Sequence, residues 1–268
     1  MAKVLPNAPL VEVVFELRWA LATSEQTSPL GVDPGYSLLK EEFSHAIKRS
    51  GFRHHRNMQP SEFPILGHSV DRRFFRSPEQ AFPLVQIGPG IFAYNESADY
   101  SWTNFKANCL KHVDSLLKCY PTLSSFKLAP ALLELRYVDS FEHTLPNGKP
   151  ANFFEYMHTQ TNFGVSIPTM PAKLKGIQDD PTGRLIAEYA LKGKKETAFT
   201  VDFASGQRKG AKILRMETKV RSLGKDLPSL SNRTAFKKKA GQWLEQAHSV
   251  ISPFFIELLG PQRLARYK

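Results

Sequence analysis

Val11-Glu12-Val13-Val14-Phe15-Glu16-Leu17-Arg18-Trp19 sets Val11, Val13, Phe15, Leu17 and Trp19 on one side and Glu12, Glu16 and Arg18 on the other. A period of two sends alternate side chains to opposite faces of an extended chain, so this stretch predicts a half-buried strand. Ala131 to Phe141 repeats the pattern, and its Glu134-Leu135-Arg136-Tyr137 echoes Glu16-Leu17-Arg18-Trp19. A remoter version is Glu217-Thr218-Lys219-Val220. Each string carries an acid and a base two residues apart, hence on one strand face, where neighbouring strands can pair them into a ladder of ions. The recurrence fits an internal duplication, and strings this short also recur by chance in alternating strands.

Working outward, Pro34 to Ser50 places Tyr36, Leu39, Phe43 and Ile47 at helical spacing and ends at Gly51, a glycine stop. Phe52 to Asn57, Val70 to Arg76 and Leu84 to Asn95 read as strands, with Gly88-Pro89-Gly90 marking a bend or bulge in the last. Asp99 stands as N-cap of the clearest amphipathic helix, which carries Trp102, Phe105, Cys109, Val113, Leu116 and Tyr120. A turn at Pro146-Asn147-Gly148, a short helix from Phe153 to His158 and an irregular stretch from Pro168 to Gly183 follow. Arg184 to Leu191 and Thr197 to Phe203 flank Lys192-Gly193-Lys194-Lys195-Glu196 as a hairpin with a basic tip, and Lys212 to Ser222 completes a meander. Asn232 caps a last helix bearing Phe236, Ala240, Trp243, Ala247 and Ile251, which Pro253 is expected to kink or divide. The class is therefore α+β: antiparallel strands in one extended sheet or two related ones, two long amphipathic helices packed across them, and room for two related halves.

Composition agrees with a folded body, at 41% apolar, 11% aromatic and 23% charged residues. The opening residues show no secretory pattern, no apolar run approaches bilayer length, and Cys109 and Cys119 share one helix at a spacing that keeps their thiols apart. A cytoplasmic, non-membrane protein with reduced thiols is expected. The net charge of +11 is unevenly placed. Residues 1–143 hold 15 Lys+Arg against 15 Asp+Glu, and residues 144–268 hold 21 against 10. A neutral α+β half thus joins a basic half made of the meander and the last helix, the two packed as one unit. A localised excess of this kind attracts nucleic acid or acidic protein surfaces.

Several segments together resemble a sporadically distributed bacterial family of about this length, functionally uncharacterised. They are Asn7-Ala8-Pro9-Leu10-x-Glu12, Gln86-x-Gly88-x-Gly90, Tyr100-x-Trp102-x-x-Phe105, Leu135-Arg136-Tyr137-x-Asp139 and the segment from His248 to Phe254. The resemblance spans nearly the whole chain and implies a body plan, and it supplies no catalytic residues. The patchy occurrence of that family implies mobile or defence-associated genes.

Local signatures of chemistry are absent. His54 and His55 are adjacent, no HExxH or CxxC occurs, Gly88-Pro89-Gly90 lacks the features of a phosphate loop, and no Gly-x-Ser-x-Gly elbow exists. No cofactor, metal or catalytic residue is assigned, and His248 reads as a hydrogen-bonded structural histidine. The candidate anion-binding set is Lys192, Lys194, Lys195, Arg208, Lys209, Lys212, Arg215, Lys219 and Arg221, with Lys237, Lys238 and Lys239 on the last helix. The expected function is a non-catalytic component of a bacterial multi-protein system, with nucleic acid or an acidic protein as partner. Two other readings compete. One is a scaffold or antitoxin-like subunit that binds its partner through the apolar segment at Phe254 and Phe255. The other is a metal-dependent enzyme like the triphosphate tunnel enzymes, which requires Glu16, Glu134 and Glu217 to converge.

Overall fold

The alternating strand near the N-terminus lies in the middle of a sheet. In the computed structural model, which describes residues 9–22, 32–58, 72–76, 82–97, 100–123, 127–142, 153, 156–157, 161–162, 183–208 and 210–267, nine strands form one sheet in the order β2-β3-β4-β5-β1-β6-β9-β8-β7. The strands are β1 (Leu10–Trp19), β2 (His54–Met58), β3 (Arg72–Arg76), β4 (Leu84–Gly88), β5 (Ile91–Glu96), β6 (Pro130–Glu142), β7 (Arg184–Ala190), β8 (Thr197–Arg208) and β9 (Ala211–Leu223). Every neighbouring pair is antiparallel. Three long helices complete it: α1 (Tyr36–Arg49), α2 (Trp102–Cys119) and α3 (Arg233–Leu264).

The helices cover one face. Phe15 of β1, Phe75 of β3 and Phe92 of β5 point into that layer, where Phe43 of α1 stacks edge-on against Phe75 and Phe92 and Trp243 of α3 tilts against Phe15. All but Trp243, 6% exposed, have no exposed surface. Burying such a ring is worth roughly 1.5–3 kcal/mol, which is why the apolar stripe of each strand dictates which face the helices take.

The two halves share one connectivity. In the first, the opening strand β1 pairs with its last strand β5, the others follow outward in reverse chain order as β4, β3 and β2, and α2 closes the unit. In the second, β6 pairs with β9, then come β8 and β7, and α3 closes the unit. The halves meet at the β1–β6 pair, where Glu16 stands opposite Glu134, Leu17 opposite Leu133 and Phe15 opposite Leu135. That register is symmetric about the two matching strings, so a pseudo-twofold axis passes between Glu16 and Glu134. The two segments thus follow the same order within one sheet, the first with one strand more than the second among the described residues, and the second begins at β6, before the point at which the charge changes.

Several local expectations are corrected. Gly88-Pro89-Gly90 reverses the chain completely: Gly88 pairs with Ile91, and Pro89-Gly90 is a two-residue hairpin turn with Gly90 at φ 70°. A Cβ at Gly90 would also lie 2.8 Å from Leu21 Cδ2, so only glycine serves both turn and close approach. The N-cap of α2 is Ser101, whose hydroxyl accepts from the Asn104 N–H at 3.3 Å, and Asp99 lies outside the described residues. β8 runs on to Arg208, past Ser205-Gly206, because its partner β9 continues alongside. α3 carries Pro253 internally and breaks instead at Gly260, φ 66° and ψ 170°, just before Pro261. The turn at Pro146-Asn147-Gly148, most of the Phe153–His158 helix and most of the Pro168–Gly183 stretch lie outside the described residues, while Phe153, Tyr156 and Met157 are helical and buried. Asn232 caps α3 as expected, accepting from the Ala235 N–H at 2.8 Å. Among the described residues no helix is long and apolar enough to cross a membrane.

One buried carboxylate ties four segments together. Asp33 accepts from Trp19 Nε1 at 2.8 Å, the Gly90 N–H at 3.1 Å, the Tyr120 hydroxyl at 2.7 Å and the Gly35 N–H at 3.1 Å. It joins the end of β1, the β4–β5 turn, the start of α1 and the end of α2. Asp33→Ala leaves these donors without an acceptor, and unfolding in urea is expected to show a loss of about 3 kcal/mol or more. A loss below about 1 kcal/mol contradicts this role.

Candidate functional site

The sheet face opposite the helices carries the acid and base strings. On β1 it presents Glu16 and Arg18; on β6, Glu134 and Arg136; on β9, Arg215, Glu217, Lys219 and Arg221; on β8, Asp202; on β7, Arg184. They form the ladder the alternation predicts. Arg18 pairs with Glu16 at 2.5 Å, Arg221 bonds Glu134 at 2.9 Å, and Arg184 grips Asp202 through Nε at 3.0 Å and Nη2 at 2.7 Å. Arg215 lies 3.4 Å from Glu217 and 3.6 Å from Asp202, and Lys219 lies 3.5 Å from Glu217. The side chain of Glu134 is 6% exposed and that of Arg221 is 45%, while Asp202 and Arg184 stand at 5% and 61%. The carboxylates form a lower tier and the cations stand on them. The Arg184 bond and charge hold the Asp202 carboxyl below its usual range against the opposing cost of burial. Arg215, Lys219 and Arg221 are therefore committed to carboxylates.

Other candidates gather at one end of the sheet. β8 begins and β9 ends side by side, with Thr197 paired to Ser222, so the Lys192-Gly193-Lys194-Lys195 tip lies beside the 3-10 turn Gly224–Asp226. The two are locked together. Asp226 accepts from the Glu196 N–H at 2.7 Å and the Thr197 hydroxyl at 3.0 Å, and Glu196 accepts from the Lys225 N–H. The Glu196 N–H bond foremost keeps the Asp226 carboxyl below its usual range. α3 starts at this same end: Trp243 Nε1 donates to Ser222 Oγ at 2.8 Å, near the end of β9, and Lys237, Lys238 and Lys239 precede it on the helix. Lys192, Lys194, Lys195, Lys225, Lys238 and Lys239 are exposed. Arg208 and Lys212 belong to the opposite end of β8 and β9, about 40 Å away at the rise of an antiparallel strand. Lys209 lies outside the described residues, as does the side chain of Arg208. The expected set is thus divided into a basic end, a paired face and a remote hairpin.

The residues on which the competing readings rest are placed as follows. Glu16 and Glu134 face each other, but Glu217 stands opposite Val138 on another rung, and each carboxylate has its own cation. Among the described residues no three His, Cys, Asp or Glu side chains are grouped to hold a metal ion, so the tunnel-enzyme geometry is not met. Phe254 packs edge-on against Phe199 at 5.0 Å and Phe255 stacks on Phe141 at 6.5 Å, so both rings are half-buried against the core, while the adjacent Ile256 is exposed. Of the aromatic residues in the meander, Phe199 and Phe203 are buried and Tyr189 is exposed.

Sequence reasoning missed a polar cluster beneath α2. The Tyr100 and Tyr137 hydroxyls share a hydrogen bond of 2.6 Å, Tyr137 shares another with His248 Nδ1 at 2.9 Å, and Trp102 stacks on His248 at 4.0 Å. Trp102 Nε1 donates to Glu245 at 3.0 Å. Burial pushes both tyrosines up and His248 down, Glu245 opposing the latter. These residues come from α2, β6 and α3 and the residues beside them, and no local pattern in the sequence brings them together. Comparison with protein-family models, with curated proteins and with solved structures finds no match.

Asp139 sits next to this cluster, buried, with its carboxyl pushed up to about 7 from a usual 3.8 by burial alone. The folded state therefore favours the neutral acid. Its contribution is intact below the usual value and is lost as pH rises through about 7. Asp139→Asn is expected to gain stability over the wild type by a margin that grows from about pH 4 to about pH 7 and then levels, reaching at most on the order of 4 kcal/mol. Urea unfolding across that pH range checks it, and a margin that does not change with pH contradicts it.

Proposed function

We propose that this protein is a non-catalytic, cytoplasmic component of a bacterial multi-protein system that holds nucleic acid through the basic end of its sheet. The observation that carries this reading is the placement of two lysine clusters distant in sequence toward one end of the sheet, Lys192, Lys194 and Lys195 at the β7–β8 tip and Lys237, Lys238 and Lys239 on α3. The lysines at this end outnumber the nearby acids. Glu196 and Asp226 are fixed by backbone N–H groups without losing their charge, and Asp114 is paired with Lys118 at 2.7 Å and Arg233 at 3.2 Å. Phosphate backbones reward such a cluster without base-specific geometry, because each neutralised phosphate releases counterions. The paired face contributes less long-range attraction, since most of the charge of its cations is offset by the carboxylates they stand over.

Binding of a labelled oligonucleotide is expected to weaken steeply between about 50 and about 200 mM salt. Lys192→Glu/Lys194→Glu/Lys195→Glu and Lys237→Glu/Lys238→Glu/Lys239→Glu should each lower affinity about tenfold or more and flatten the salt slope by about 0.7–0.9 for every phosphate that is no longer neutralised. Lys212→Glu, at the far end, should leave both unchanged. Affinity independent of salt, or unaltered in both triple variants, refutes the reading.

A further inference from the structure

α2 and α3 lie antiparallel, since Trp102 and Lys106 meet Glu245 while Asp114 meets Arg233. They approach closely where α3 has no side chain: a Cβ on Gly241 would stand 3.1 Å from Leu110 Cδ1. Beside this point is an open-sided cleft of about 500 Å³ lined by Lys106, Leu110, Lys237, Lys238, Gly241 and Glu245, among others. Its floor is the half-buried Leu110 and the bare helix backbone at Gly241, and its rim is cationic. Glu245 is already engaged by Lys106 and Trp102. Among the described residues, Lys237 and Lys238 make no ion pair.

The chemistry of the lining selects the occupant. Among the described residues no aromatic ring lines the cleft, so they offer a nucleobase no stacking surface there. The cleft is shallow and open to solvent, and an apolar floor under two lysines accepts one aliphatic side chain flanked by carboxylates. Groove recognition by a protein segment works in this way, with an apolar anchor providing burial and charged neighbours fixing orientation. We propose that the α2–α3 cleft is the docking site of an acidic segment from a protein partner, which seats one apolar side chain on Leu110 and Gly241 and sets its carboxylates against Lys237 and Lys238.

This proposal shares Lys237 and Lys238 with the nucleic-acid reading, so the two ligands would compete there, and it is separable through the tip lysines, which take no part in the cleft. The probe is a labelled, acetylated glutamate-rich peptide with a single central leucine, compared with its serine counterpart, with binding followed by anisotropy on the full chain. The leucine peptide is expected to bind at least tenfold more tightly than the serine one. Lys237→Glu/Lys238→Glu should abolish binding, and Gln242→Trp, a substitution at an exposed position lining the cleft, should remove the preference for leucine by filling the space. Lys192→Glu/Lys194→Glu/Lys195→Glu should leave peptide binding within twofold while weakening oligonucleotide binding. Equal affinity for the two peptides, or a leucine preference that survives Gln242→Trp, overturns the proposal. So does a tip variant that weakens peptide and oligonucleotide alike, which would reduce the lysines to a general polyanion surface. Failure of the oligonucleotide arm alone counts against the nucleic-acid reading and leaves the cleft standing.

Discussion

The β1–β6 pairing is the constraint on which the rest of the molecule depends. It joins the two halves into one ladder from β2 to β7, and without it each half would present an unpaired strand at its most apolar position. Its register fixes which side chains meet the helices. A slip of one residue would turn Phe15, Leu17, Leu133 and Leu135 to the charged face and carry Glu16 and Glu134 into the core. The cost of burying those carboxylates without partners makes that alternative prohibitive, so the alternation that predicts the strands also locks their alignment.

Much of the architecture is legible because it rests on short-range periodicity. The period-two strings at Glu16 and Glu134, the helical spacing from Trp102 to Leu116 and the Asn232 cap all act within one element, and a reader of the sequence meets each of them whole. Where neighbours distant in the chain decide the outcome, the legible part ends. Pro89-Gly90 is a full reversal because β4 and β5 need each other as partners, and β8 outruns its apolar pattern because β9 is there to receive its hydrogen bonds. The break in α3 comes at Gly260, although Pro253 is the stronger local signal. Gly260 takes a backbone conformation that other residues resist, whereas the missing N–H of one proline is tolerated when the packing on either side is continuous.

The candidate site was half legible for the same reason. Charge counts locate an excess in the second half, but they carry no information about tiers. The short carboxylates of Glu134 and Asp202 lie low between strands while the longer guanidinium groups of Arg221 and Arg184 rise over them, and this difference in reach turns a string of bases into a ladder of ion pairs. The lysines that escape pairing are those on a turn and on a helix end, where no strand neighbour supplies a carboxylate. The Tyr100–Tyr137–His248 cluster was invisible because its members come from separate parts of the chain whose juxtaposition only the fold creates.

The order of the halves along the chain has a consequence during synthesis. β1 is made early and acquires β5 as soon as the first half is complete, yet its other edge is filled by β6, which emerges only after α2. For that interval the nascent polypeptide holds an apolar strand with one open edge, the feature that invites pairing with another chain. Two ribosomes on one message would expose two such edges at once, and the near-identity of the strings on β1 and β6 means that the wrong partner would fit almost as well as the right one. Fast delivery of β6 across the link of residues 121–129 is therefore as much a part of this fold's fidelity as any interaction in the finished molecule.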